Sequence, residues 1–211
     1  MGRYSFLDLA SSASVRAAQA EMGVDQLWTS GKIDRQFERF TPDEAAFIAA
    51  RDSFYMASVS ETGWPYVQHR GGPAGFVQVL DDKTLAFPDF RGNRQYISLG
   101  NTDQNDRVAL IMVDYPGRHR LKLYARIEAR DLAADPALAE RLALPGYRAV
   151  PERAFLLHLE AFDWNCPQHI TPRFTESEIA AAVAPLHTRL ADLEAENRAL
   201  RDALAAKGDP A

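Results

Sequence analysis

Between residues 53 and 162 the chain breaks into six or seven short apolar runs, and the connections between most of them are only a few residues long. That spacing constrains the fold more than any other feature. Parallel strands need a crossover of about a dozen residues or more, whereas antiparallel neighbours can be joined by a tight turn. Ser53 to Ser60 (SFYMASVS) and Trp64 to Arg70 (WPYVQHR) flank Glu61-Thr62-Gly63, a hairpin signature. Gly75 to Leu80 (GFVQVL) and Thr84 to Phe87 (TLAF) flank Asp81-Asp82-Lys83 in the same way. Arg107 to Tyr115 reads as a buried strand. Arg120 to Ala129 alternates cleanly, and Ala154 to Phe162 is a last strong strand. Strands do not alternate with long helices, which argues against a Rossmann-type sheet, and an antiparallel sheet closing into a barrel is expected.

Helices are expected at the margins. Residues 11–50 read as peripheral and helical, and Thr41-Pro42-Asp43-Glu44 has a helix start's N-cap, proline and acidic first turn. Residues 95–99 and 135–144 read as short helices. The expected division is an N-terminal helical segment (1–50), a β-barrel (51–174) and a C-terminal helix and tail (175–211).

The tail has its own periodicity. Taking Val183, Leu190, Asn197 and Leu204 as a positions makes Ile179, Leu186, Leu193 and Leu200 the d positions of a heptad repeat. Such a seam predicts a coiled coil, and asparagine at a fits a parallel two-stranded one. An amphipathic helix packed on its own domain is the other reading, although a strict a/d stripe is narrow for that. Thr175 and Glu178 form a capping box at the start.

Composition narrows the function. The 211 residues carry a net charge of -5 at a pI of about 5.6, which argues against a general nucleic-acid binder. No run approaches the ~20 apolar residues that span a bilayer, and the N-terminus lacks a signal peptide's apolar core. With a single cysteine, Cys166, no internal disulfide is possible. The expectation is a cytoplasmic protein without membrane or nucleic-acid partners. Cys166-Pro-Gln-His169 lacks a recognisable nucleophile signature, and the five histidines lack zinc-site spacing. No metal is expected, and no catalytic side chain is assigned.

Basic and polar residues gather at three places. Phe87 to Ser98 follows a strand and opens a helix, presenting Arg91, Asn93, Arg94, Gln95 and Ser98 around Gly92. Backbone N–H groups at a helix start attract anions, and arginine adds charge-assisted bonds to phosphate oxygens. On spacing alone a solvated surface loop remains equally open. His69 and Arg70 end a strand before Gly71-Gly72, where glycines would admit a flat ligand. Arg118, Arg120 and Lys122 share one strand face, for which solvent is the simpler partner.

Together, "HRGGPAGF" (69–76), "GNRQYISLGN" (92–101) and "CPQHI" (166–170) resemble the pyridoxamine 5′-phosphate oxidase-like flavoproteins over roughly residues 40–174. The resemblance implies a split β-barrel that dimerises, with FMN sites at the interface. It implies cofactor contacts from His69, Arg70, Arg91, Asn93, Arg94, Gln95 and Ser98. Arg120 would reach the flavin from the partner subunit, and Gln168 and Arg173 would belong to the closing C-terminal segment. Gln95 stands where the oxidase itself often has lysine, and its C-terminal arginine–histidine substrate motif has no match. The expected activity is therefore a flavin-dependent oxidoreductase acting on a small molecule or NAD(P)H. A flavin-binding or sensing module without turnover, and a split barrel using deazaflavin or haem, stay open as alternatives. The tail helix offers a route to higher assembly.

Overall fold

A computed structural model describes residues 4–29, 35–164 and 168–207. Cys166 and Pro167, part of one of the three motifs above, lie outside these residues. Seven strands, β1 (Ser53–Val59), β2 (Pro65–Gly71), β3 (Gln78–Val79), β4 (Thr84–Phe90), β5 (Arg107–Asp114), β6 (His119–Arg130) and β7 (Pro151–Trp164), form one antiparallel sheet in the order β2-β1-β5-β6-β7-β4-β3. The sheet rolls up into a split β-barrel. Arg70 on the edge strand β2 forms an ion pair with Asp89 on β4, close to the other edge. The Phe54 and Phe87 rings of β1 and β4 meet edge to face at 5.1 Å.

Alternation decides what fills the barrel. Phe54 and Met56 of β1, Leu121 and Leu123 of β6, and Phe155 and Leu157 of β7 point inward and are buried. Truncating any one of the central phenylalanines to alanine should cost about 3–5 kcal/mol. Strand β4 is buried on both faces, because its Ala86 packs into a second small layer with Leu138 of a helix at Pro136–Arg141 and with Leu142 at that helix's C-cap.

Four short helices precede the barrel: α1 (Ser5–Ala10), α2 (Ala13–Glu21), α3 (Asp25–Thr29) and α4 (Pro42–Ala49). Helix α4 begins with the expected threonine N-cap, which the structure completes into a capping box. Thr41 Oγ1 accepts from the Asp43 N–H at 3.3 Å, and Glu44 Oε2 accepts from the Thr41 N–H at 3.0 Å. Two more helices, α5 (Ile97–Gln104) and α6 (Pro136–Arg141), interrupt the strands. The 75–80 strand shrinks to two residues: Gly75 turns with φ +86° and Phe76 and Val77 are drawn into the core. His158 of β7, placed by its apolar neighbours on a core or interface strand, is exposed and faces Glu128 at 3.5 Å.

By contacts the chain divides into two compact units, one of residues 1–114 and 118–170 and one of 115–117 and 171–211. The second contains α7 (Glu176–Lys207), a continuous 32-residue helix with the expected Thr175–Glu178 cap. Its seam residues Leu186, Leu190, Leu193, Leu200 and Leu204 are all exposed. Among the described residues no helix is long and apolar enough to cross a membrane.

Candidate functional site

The cleft between β2, the end of β4 and the 91–98 loop has a volume of about 190 Å³. Strand alternation builds its floor. Tyr66, Gln68 and Arg70 of β2 face it. Val67 and His69 face the other way, where the His69 ring lies edge-on to Tyr55 at 5.4 Å. His69 is thus on the opposite side of the strand from the cleft, because side chains one residue apart point to opposite faces.

Beneath the cleft lies a shared buried carboxylate. Asp89 accepts from Arg70 Nη1 at 2.5 Å and from Arg153 Nη1 at 2.7 Å, and all three side chains are largely buried. Asp89 and Arg153 are direct partners in the β4–β7 register. One residue on, the register skips Glu152, so Phe90 pairs with Pro151. Bulges re-aim the extra side chain, and here Glu152 turns to accept from Arg91 Nε at 3.0 Å and from the Tyr96 hydroxyl at 3.3 Å. Burial works to raise the Glu152 carboxyl, but Arg91, Tyr96 and the charge of Arg153 hold it below the usual carboxylate range. The Arg153 guanidinium also lies over the Tyr96 ring at 5.2 Å.

The 91–98 loop has an unusual backbone. Arg94 and Tyr96 have φ of +59° and +52°, while Gly92 stays outside the left-handed region. Non-glycine residues held there cost roughly 1–2 kcal/mol each and cluster at functional sites. An Asx turn fixes the intervening residues: Gln95 N–H donates to Asn93 Oδ1 at 3.1 Å, and Asn93 Nδ2 donates to Gln95 Oε1 at 3.2 Å. The turn delays the helix, which begins at Ile97 rather than Gln95. Ser98 is buried and donates to Gln68 Oε1 at 2.7 Å, tying helix to floor.

Three guanidinium groups, of Arg70, Arg91 and Arg153, thus share two carboxylates, Asp89 and Glu152, and Arg94 stands beside them as a fourth cation. Arg94 lines the cleft, is exposed, and makes no ion pair among the described residues. Among the described residues the buried Nε of Arg70 has no hydrogen-bond partner. Arg94 therefore presents unpaired positive charge to an open cavity, an arrangement that suits an anion with several acceptor oxygens.

The other expected residues fall elsewhere. Arg120 is half-buried on the outer face of β6 with an unpartnered buried Nε, and does not line the cleft of this chain. On that same face Lys122 is committed to Asp163 at 2.9 Å. Gln168 is exposed in a turn. Arg173 lies in the second unit, its guanidinium over the Tyr115 ring at 4.9 Å. Glycine 72 has a different use from the one expected. A Cβ there would sit 2.8 Å from the Phe76 ring, so the space serves the protein's own packing. Trp164 belongs to the core margin, against Phe47 and bonded to Glu44 at 2.7 Å. Gln68, Asp89, Glu152, Arg153 and Tyr96 were missed by sequence reasoning. Only Gln68 had a local signal, two residues before Arg70 on the same face.

A family model described as pyridoxamine 5′-phosphate oxidase matches residues 40–157, more than half of the chain. The chain belongs to that family. Similar solved structures include HupZ of Group A Streptococcus, 17% identical over 64% of this chain and 99% of that one at a TM-score of 0.45. An FMN-binding protein from Syntrophomonas wolfei is 12% identical over 72% and 95%, at 0.45. A FAD-binding protein from Mesorhizobium loti is 16% identical over 62% and 97%, at 0.42. No curated protein sequence matches.

Proposed function

We propose that this protein binds FMN, with the phosphate in the cleft between Arg70 and Arg94, and works as a flavin-dependent oxidoreductase in a homodimer. The observation that carries the reading is the cationic excess of that cleft in a chain of this family. Arg94 and Asn93, both exposed and lining the cleft, would offer donors to a phosphate monoester's oxygens, with the guanidinium of Arg70 behind them. Bound there, the isoalloxazine would supply hydride or electron transfer. The residues of this chain would bind the phosphate and fix its orientation. Asp89 and Glu152 would keep the arginines aimed at it.

Dimerisation has its own support. Small-molecule pockets run to roughly 300–1,000 Å³, so the cleft of one chain holds only part of a flavin nucleotide. The outer face of β1, β2 and β5 is apolar and open: Tyr55, Val59 and Val67 are exposed, and Ala57, Ala109 and Ile111 line a shallow pocket beside them. Such a patch marks an interaction surface. A second copy seated there would complete the cavity and bring Arg120, and the segment of Gln168 and Arg173, to the flavin.

The test is the visible spectrum of protein purified without added cofactor, with mass identification of what heat releases. Flavin bands and released FMN are the expected result. A colourless protein that also fails to bind added FMN would overturn the reading. Reduction of the bound flavin by NADH or NADPH, followed by reoxidation, separates an enzyme from a binding module.

A further inference from the structure

Helix α7 is about 48 Å long at 1.5 Å per residue, and none of its described side chains is buried. Isolated helices gain most of their stability from packing an apolar face, and this one leaves Leu186, Leu190, Leu193, Leu200 and Leu204 between 44% and 70% exposed. The residues flanking that seam settle what covers it. In the heptad frame set by the leucines, the g positions hold Arg189 and Glu196, and the e positions of the following heptads hold Glu194 and Arg201. A parallel coil brings each g against the partner's next e. Both resulting contacts, Arg189 with Glu194 and Glu196 with Arg201, join opposite charges.

We propose that α7 pairs with the α7 of a second copy as a parallel, in-register, two-stranded coiled coil, Asn197 lying against the partner subunit's Asn197. Register and direction rest on separate observations. Asparagine at an a position finds an amide partner only when the two a positions coincide; an antiparallel pair would set it against leucine. The g and e charges match in the same register. Pro185 falls at an outward c position, where it removes one helix hydrogen bond without entering the seam. The firm part of the coil therefore begins at Leu186 and ends at Leu204. The self-complementary seam makes a second copy of this chain the partner, ahead of a foreign helix.

The proposal does not depend on the flavin reading, and its test reads thiol chemistry alone. In the full chain with Cys166→Ser, Leu200→Cys puts the two new thiols face to face at a d position, whereas Ala199→Cys at c points them outward. Mild oxidation should cross-link Leu200→Cys at least about tenfold faster than Ala199→Cys, since only the a and d positions of a coil face the partner. Adding Glu194→Arg should slow the reaction by setting two arginines together, and adding Arg189→Glu as well should restore it. Equal rates at 199 and 200, no cross-link at either, or no recovery in the charge-swapped variant would each overturn the parallel pairing.

Discussion

Asp89 and Asp163 are both buried, 7% and 5% exposed, and both hold cations. Their surroundings differ. Asp163 accepts from Lys122 at 2.9 Å and from the Tyr4 hydroxyl, and Arg35 stands at 3.8 Å and donates to the same tyrosine oxygen at 3.4 Å. Lys122, Tyr4 and Arg35 each reach another member of that group. Lys122 also lies over the Phe6 ring at 4.6 Å, so the cluster fastens the N-terminal segment to β6 and β7. Asp89 is shared by two arginines beside an open cleft, with Arg94 and the Arg70 Nε left over. The same chemistry makes a fastener around Asp163 and, on the function proposed above, a place for a bound anion around Asp89.

That contrast can be broken most easily by removing each carboxylate. Asp89→Ala strands two largely buried guanidinium groups and should cost about 3–5 kcal/mol of stability, read from the urea midpoint. Asp163→Ala should cost less, about 1–3 kcal/mol, because Lys122 and Arg35 keep 32% and 48% of their side chains in water. Equal losses, or a larger one at Asp163, would abolish the distinction.

Arg94→Ala sharpens the binding side of the comparison. It should weaken FMN binding by about 1.5–3 kcal/mol, roughly 10- to 150-fold, while the urea midpoint moves by no more than about 0.5 kcal/mol's worth. Isothermal titration and denaturation together give both numbers, and an unchanged Kd would take the phosphate out of this cleft. Thr41→Ala, remote from both carboxylates, calibrates the scale as an N-cap loss of about 1 kcal/mol.

The smallest effect concerns pH. Burial, with the hydrogen bond and charge of Asp163, pushes the Tyr4 hydroxyl from its ordinary 10.0 up to about 12. The folded protein therefore holds that proton more tightly than the unfolded chain. The stability this contributes is complete below pH 10 and is lost as pH rises towards 12. Tyr4→Phe should flatten that part of the alkaline decline, measured as the difference between the two unfolding curves. Parallel curves would detach Tyr4 from Asp163.

Local chemistry in the sequence foretold much of the architecture. The β1–β2 hairpin, the alternation of β6 and the N-caps at Thr41 and Thr175 all depend on residues within a few positions of each other. Long-range register was hidden. Asp89 and Arg153 are 64 residues apart and become neighbours only through the β4–β7 pairing, and the bulge that turns Glu152 leaves no mark in composition. Strand β5 reads as buried on both sides because Ala109 and Ile111 are apolar. In one chain that face is open, so the misreading has the same physical cause as the dimer proposal. The loop misled in detail for a related reason. Gly92 looked like the flexible point, whereas the left-handed conformations fall on Arg94 and Tyr96.

The walls of the cleft come from opposite ends of one sheet, Arg70 from an edge strand and Asp89 from beside the other edge. The pocket is therefore a clasp on a hoop, present only when the sheet has curled far enough for its ends to meet. Whatever occupies it draws on that curling. At a hundredfold excess over its Kd a ligand would add about 2.7 kcal/mol to the closed form, so cofactor supply would govern how often the hoop springs open.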